Sequence, residues 1–270
     1  MSGVVILSAS NYSLYSIMVA EGILEKGIPI DRIVIKKLFN SRRLLSEVKA
    51  GPVRFIRKLG AKLIFRKAKS NVNLRSSIAQ KFLDGGFKAN SLTELAANAG
   101  IPITFCDDFH SKHVLANIIA SKPTLVAFTG GGIVRGPLLE IASKGVINCH
   151  MGILPAYRGM DCYVWAILNG HIDKIGLTTH FMDLGIDTGP IIERLHLSLA
   201  GLSSIGAVEA ALEANMPKLM IRAISMVFDD THNKETQRNS DGRQYYVPVD
   251  RLREHAEYKL SKICRPNYDR

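Results

Sequence analysis

The feature that most restricts how this chain can fold is an alternation of short, β-branched apolar stretches with segments of helical period. Val4–Ser8 predicts a buried strand, and a helix follows with Leu14, Ile17, Met18, Gly22 and Leu24 near helical spacing, stopped at Gly27-Ile-Pro29. Arg32–Ile35 predicts a second strand. Strand, helix and strand in that order imply a βαβ unit and a parallel sheet. The rhythm resumes near Asn90. There the sequence predicts helix Leu92–Ala99, strand Pro102–Phe105, helix His113–Ala120, strand Thr124–Phe128, helix Pro137–Ser143 and strand Val146–Met151. Two β-rich stretches between Ile175 and Leu199 precede a long helix from Ser204 to Phe228. The expected fold is α/β, a doubly wound, mostly parallel sheet with its functional loops at the carboxyl ends of the strands. The residues after Asp229 read as a polar loop, a short strand within Gln244–Val249 and a terminal helix Asp250–Ile263.

One segment interrupts this pattern and holds nearly all the excess charge. Of 35 Lys/Arg and 24 Asp/Glu, 14 basic residues and a single acid, Glu47, lie between Lys36 and Lys81. The remainder of the chain is close to neutral. We therefore expect a core domain over residues 1–229, carrying a basic insertion at about 36–90, and a short extension over 230–270. No apolar run reaches the roughly 20 residues that span a bilayer, and the opening residues read as a strand, not a signal peptide. Four cysteines without C-x-x-C spacing suit a reducing compartment, so a cytoplasmic protein is expected.

Chemistry concentrates in Asn148-Cys-His150-Met-Gly-Ile-Leu-Pro155-Ala-Tyr-Arg-Gly159. Strand alternation puts Asn148 and His150 on one face and turns Cys149 away, which argues against a thiol nucleophile paired with that histidine. A polar pair at the end of a buried strand costs solvation unless it has work to do. Asn offers a neutral donor, and His exchanges a proton near neutral pH. Such a pair suits a carbonyl that becomes an oxyanion. An isolated N-x-H is also compatible with a plain hydrogen-bonded strand end. His171, His180 and His196 lack metal-ligand spacing, and no metal is expected.

The continuation Leu-Pro-Ala-Tyr-Arg-Gly and the later Thr178-Thr-His180-Phe-Met-Asp183-Leu-Gly-Ile-Asp187-Thr-Gly-Pro-Ile-Ile192 resemble the two signatures of the 10-formyltetrahydrofolate-dependent formyltransferases. The resemblance spans about Leu92 to Phe228 and implies a Rossmann-like core. It also implies transfer of a formyl group from 10-formyltetrahydrofolate to an amine, with Asn148, His150 and Asp187 as catalytic residues. Asn148 and protonated His150 would stabilise the oxyanion, and Asp187 would hold His150 cationic and relay the amine proton. Asp183 is expected to cap its loop. Folate would lie on Phe128, Gly130, Gly131, Gly132 and Ile133, with Gly185 and Ile186 closing the other side. Gly152, Tyr157 and Arg158 would contact the acceptor. Many relatives have Ser where this chain has Gly152, which removes a hydroxyl and loosens the turn.

The acceptor is less legible. Methionyl-tRNA enzymes of the family carry a further domain of about 100 residues, whereas roughly 40 follow Phe228 here. That favours an amino-sugar carried on a nucleotide. A lipid-linked amine, an amino-acid amine and glycinamide ribonucleotide remain alternatives, as does a non-catalytic folate- or membrane-binding relative. Residues 50–70 can form a basic amphipathic helix, with Val53, Ile56, Leu59 and Leu63 on one face. Such a helix can lie on the inner face of an anionic membrane, grip nucleic acid (the lesser expectation), or cover the core or a second subunit of a homodimer.

Overall fold

The computed structural model describes residues 2–37, 88–130 and 132–263. The basic stretch 50–70, most of the insertion and Gly131 lie outside the described residues. The strands are β1 (Val4–Ser8), β2 (Ile30–Lys36), β3 (Ile103–Cys106), β4 (Leu125–Thr129), β5 (Val146–His150), β6 (Tyr157–Gly159), β7 (Gly176–Phe181), β8 (Ile191–His196) and β9 (Arg243–Tyr245). The α-helices are α1 (Leu14–Glu25), α2 (Leu92–Ala99), α3 (Lys112–Ser121), α4 (Cys162–Leu168), α5 (Ile205–Phe228) and α6 (Asp250–Ile263).

Seven strands form one sheet in the order β3-β2-β1-β4-β5-β7-β8. The first five are parallel, and β7 and β8 add antiparallel pairs at one side. The sheet is buried on both faces, as a wound parallel sheet requires. Val4 and Ile6 join the core cluster that contains α1 and α5, while Val5 and Leu7 join the one that contains Val114 and Ile118 of α3. This period-two split explains why β1 is a continuous apolar run. Ser13 and Ser91 cap α1 and α2 by accepting from the amides of Ser16 and Glu94. Gly100 ends α2 at φ 67°.

Strand order reverses between β1 and β4, where the crevice of a wound sheet opens. The reversal is marked by buried hydroxyls: Ser16 Oγ lies 2.7 Å from both Ser8 Oγ and Thr129 Oγ1, and Thr129 Oγ1 donates to the Leu7 carbonyl at 2.9 Å. Each hydroxyl is satisfied, so the end of β4 is fixed before the glycine-rich loop begins.

Two local expectations are corrected. The helix expected at Pro137–Ser143 is a single 3-10 turn, Gly136–Leu138. Gly136 sits at φ 49° and Gly145 at φ 99°, so the intervening chain bends instead of propagating, though Leu138 and Ala142 still reach the core. The strand expected within Gln244–Val249 is confined to β9, because Tyr246, Val247 and Val249 face solvent and Pro248 has no N–H to donate. β9 pairs in parallel with β6.

Candidate active site

Asn148 and His150 continue the face of Val146 at the carboxyl end of β5, and Cys149 enters the opposite core. Phe128 is in register with Asn148, so the loop from Thr129 starts beside the amide. On the other side of β5, Asn148 pairs with His180 and His150 with Thr178. Directly opposed residues of an antiparallel pair share a face, so β7 contributes His180 and Thr178 to the same cluster.

Asp187 completes it from the turn between β7 and β8. It occupies the left-handed region at φ 54°, which Asp tolerates better than most side chains. Its Oδ2 is 3.3 Å from His150 Nδ1, and its Oδ1 is 3.5 Å from His180 Nε2. The Gly159 N–H donates to Oδ2 at 2.9 Å. Asn148 Nδ2 is 3.5 Å from His180 Nε2, a contact long enough to leave the amide available as a donor. His180 Nδ1–H donates to the Phe181 carbonyl at 2.7 Å, which fixes that ring.

His150 Nε2–H donates to the Tyr157 carbonyl at 2.9 Å, and Nδ1 faces Asp187. Both ring nitrogens therefore face acceptors, and only the imidazolium satisfies both. Burial pushes the His150 pKa below its ordinary value, against the pull of the Asp187 carboxylate. Burial would raise Asp187 too, but His150, His180 and the Gly159 N–H overcome it and hold the carboxyl at about 2. The result is a buried anion beside an imidazole drawn both ways, a pairing suited to proton exchange.

The loop 183–189 is closed by its own polar groups. Asp183 Oδ1 accepts from the Gly185 N–H at 3.1 Å and the Thr188 hydroxyl at 2.6 Å, which is the capping role expected of it. Ile186 on this loop and Ile133 on the glycine-rich loop are exposed apolar side chains, while Gly130 and Gly132 sit at φ 106° and 128°. Phe128 instead sends its ring into the core, edge-on to Phe109, so any part it takes in binding falls to its main chain.

The three residues expected to meet the acceptor are placed more deeply than anticipated. A Cβ at Gly152 would lie 2.6 Å from His150 Nε2 and 2.8 Å from Cys162 Cβ, so this glycine makes room for the imidazole. Tyr157 is buried, with its ring stacked on Tyr245 and its hydroxyl 2.7 Å from His171 Nδ1; it reaches the site by its carbonyl. Arg158 is also buried and donates to the Gly242 carbonyl at 2.8 Å. Gly159 has to be glycine: it sits at φ 99°, and a Cβ there would collide with the Tyr245 main chain.

The family model for formyl transferase matches residues 107–224, which include all three candidate catalytic residues. Over that segment the chain is similar to the formyl transferase family. Methionyl-tRNA formyltransferase of Desulforamulus reducens is 38% identical over 106 residues, which are 39% of this chain and 33% of that protein. The chain thus spans about a third of the length of the curated relatives it matches. Among solved structures, glycinamide ribonucleotide transformylase 1 of Symbiobacterium toebii shares the fold with a TM-score of 0.56 at 17% identity, over 87% of this chain and 93% of that one. An N-formyltransferase of Helicobacter canadensis, in complex with folinic acid and dTDP-3-aminofucose, gives a TM-score of 0.55 at 15% identity, over 97% and 81%.

Sequence reasoning missed several groups that shape the site. The sequence marks His180 only as lacking metal-ligand spacing, yet its register with Asn148 places it against both the amide and the carboxylate. Thr178 Oγ1 donates to the Gly152 carbonyl at 2.7 Å and accepts from the Leu154 N–H at 3.1 Å. Arg194 Nε donates to the Leu154 carbonyl at 2.7 Å. Strand pairing was the signal that could have found His180 and Thr178. Nothing local pointed to Arg194.

Proposed function

We propose that this chain transfers a formyl group from 10-formyltetrahydrofolate to a primary amine on a nucleotide-linked sugar. The observation behind the reading is that an amide, an imidazole and a carboxylate, from Asn148, His150 and Asp187, meet at the end of β5 beside the glycine-rich loop. The folate supplies the activated formyl carbon. The exposed Ile133 and Ile186 offer apolar surface on the two loops that would flank its ring, and Gly130 and Gly132 allow close approach of the main chain.

The chemistry follows from what each side chain can give. Asn148 Nδ2, only weakly engaged by His180, donates to the oxygen that gains charge when the amine attacks. Such a donor contributes about 3–4 kcal/mol in comparable sites. His150 brings positive charge next to the same oxygen, with its ring held by the Tyr157 carbonyl. Asp187, ionised and adjacent, balances that charge and takes up the proton the amine sheds, directly or through water. The nitrogen that leaves takes a proton in turn, so the products are a formamide and tetrahydrofolate.

Two observations favour a sugar amine. The segment after the core folds onto the 154–160 loop through β9, and the Helicobacter canadensis protein in complex with dTDP-3-aminofucose shares its fold with 97% of this chain. A second reading, an aminoacyl-tRNA acceptor, is favoured by sequence likeness to methionyl-tRNA formyltransferases. Incubation with 10-formyltetrahydrofolate and a panel of amines, followed by tetrahydrofolate release, separates them. Turnover with nucleotide-sugar amines alone is expected. Turnover only with methionyl-tRNA would replace the acceptor, and no turnover with any amine would overturn the enzyme reading.

A further inference from the structure

We infer that Gln237, which lies outside the segment matched to the family, is a positioning residue that holds Asp187 in line with His150; its kinetic consequence rests on the formyl-transfer reading. Asp187 sits at φ 54°, in a turn whose main chain is not part of the β7–β8 ladder. Two carbonyls of that turn are instead held by one side chain. Gln237 Nε2 donates to the Asp187 carbonyl at 3.1 Å and to the Gly189 carbonyl at 2.5 Å. Both partners are acceptors, so the orientation of the amide is dictated by chemistry: only its NH2 end can face them. The carboxylate is tied separately, by the Gly159 N–H. Asp187 is therefore held at its main chain by the extension and at its side chain by the 154–160 loop.

Gln237 is itself anchored. Two residues earlier, Glu235 exchanges main-chain hydrogen bonds with Ile191 at 2.8 and 3.0 Å. Its carboxylate grips both terminal nitrogens of Arg194 at 2.6 and 2.7 Å, and the same guanidinium reaches the Leu154 carbonyl. Further on, Arg243 N–H donates to the Ala156 carbonyl, and the Tyr245 carbonyl accepts from the Met160 N–H. Residues 235–245 thus run from the loop that carries Asp187 to the loop whose Tyr157 carbonyl orients His150. A bidentate side-chain bridge placed at a turn with a left-handed residue prevents relaxation that would carry the carboxylate off the imidazole.

The ionisable groups facing Asp187 are His150 from β5, His180 from β7 and Cys162 from α4. Loosening Asp187 removes the carboxylate that pulls His150 upward, so the imidazole should titrate lower still. The test is Gln237→Met, similar in length but without donors. It would be compared with wild type and with Lys144→Met, which cuts an anchor from Lys144 Nζ to the Val227 carbonyl and to Asp230 elsewhere in the molecule. NMR titration of the His150 ring and steady-state kinetics are read together with Tm. We expect Gln237→Met to lower kcat about tenfold or more, with KM for the folate within about twofold, and to move the His150 titration downward. Lys144→Met should lower Tm and leave both unchanged. A Gln237→Met protein with wild-type kcat and His150 titration overturns the proposal, whatever its Tm. If wild type transfers no formyl group, the enzyme reading fails, and the titration alone still decides the role of Gln237.

Discussion

Gly152 shows how narrowly the imidazole is fitted. Any side chain there meets His150 Nε2, Cys162 Cβ and the Tyr157 carbonyl, all within 2.9 Å of the first added carbon. The Tyr157 carbonyl and Cys162 are held by β6 and α4, so the imidazole must move. Gly152→Ala should therefore break the bond from His150 to the Tyr157 carbonyl and displace its other nitrogen from Asp187. We expect a fall in kcat of about 10²-fold, as for comparable misplacement of a reacting group, and a loss of about 1–3 kcal/mol of stability from overpacking. Steady-state kinetics and denaturant unfolding check the two effects, and an alanine protein with wild-type kcat would show that His150 does not need its present position. At this scale the candidate trio was legible, because strand alternation and two spaced motifs depend only on local order. The reason for Gly152 was not. A missing hydroxyl was visible in the sequence, whereas the imidazole filling its place comes from the strand before it and became visible only in three dimensions. Gln237 was hidden for the same reason: its partners lie 48 and 50 residues away.

Elements position these residues by being fixed at both ends. α4 follows the 154–160 loop directly and is braced by α6. Arg253 donates to Asp161 at 2.6 Å, Lys259 to the Leu168 carbonyl at 2.6 Å, and Glu257 accepts from the Ile205 N–H at the start of α5. Between these polar contacts Ala256 and Leu260 are wholly buried. Leu260→Ala should cost about 2–5 kcal/mol, the range for a fully buried leucine, and lower Tm accordingly. Thermal unfolding checks it; a change of a few tenths of a kcal/mol would mean that α6 does not depend on this core. The limits of α2 were legible because its caps, Ser91 and Gly100, agree with its apolar period. The helix expected at Pro137–Ser143 does not form because a glycine in the left-handed region stands at each flank. Core burial needs only that Leu138 and Ala142 point inward, and a bent loop satisfies it as well as a helix does.

Across the whole molecule, the parallel direction of β1 to β5 was implied by the βαβ rhythm, since crossover connections join parallel neighbours, but their order was not. The antiparallel turn of β7 and β8 was seen only as two β-rich stretches, because direction is a property of pairing and not of composition. Yet that reversal is what sets His180 opposite Asn148 and swings Asp187 back over His150. The extension beyond the matched segment completes the arrangement by linking the two loops around the pair. Fold and site are thus one construction, with residues from β5, the β7–β8 turn and the extension meeting at one point. The most direct measurement of its purpose is the rate of tetrahydrofolate release from 10-formyltetrahydrofolate, at saturating amine, by wild type and by Asp187→Asn. The substitution keeps shape and removes the charge, so the rate should fall about 10²–10⁴-fold while the unfolding temperature changes little. An Asp187→Asn protein that turns over within about threefold of wild type would contradict the account, because the carboxylate would then have no part in the reaction.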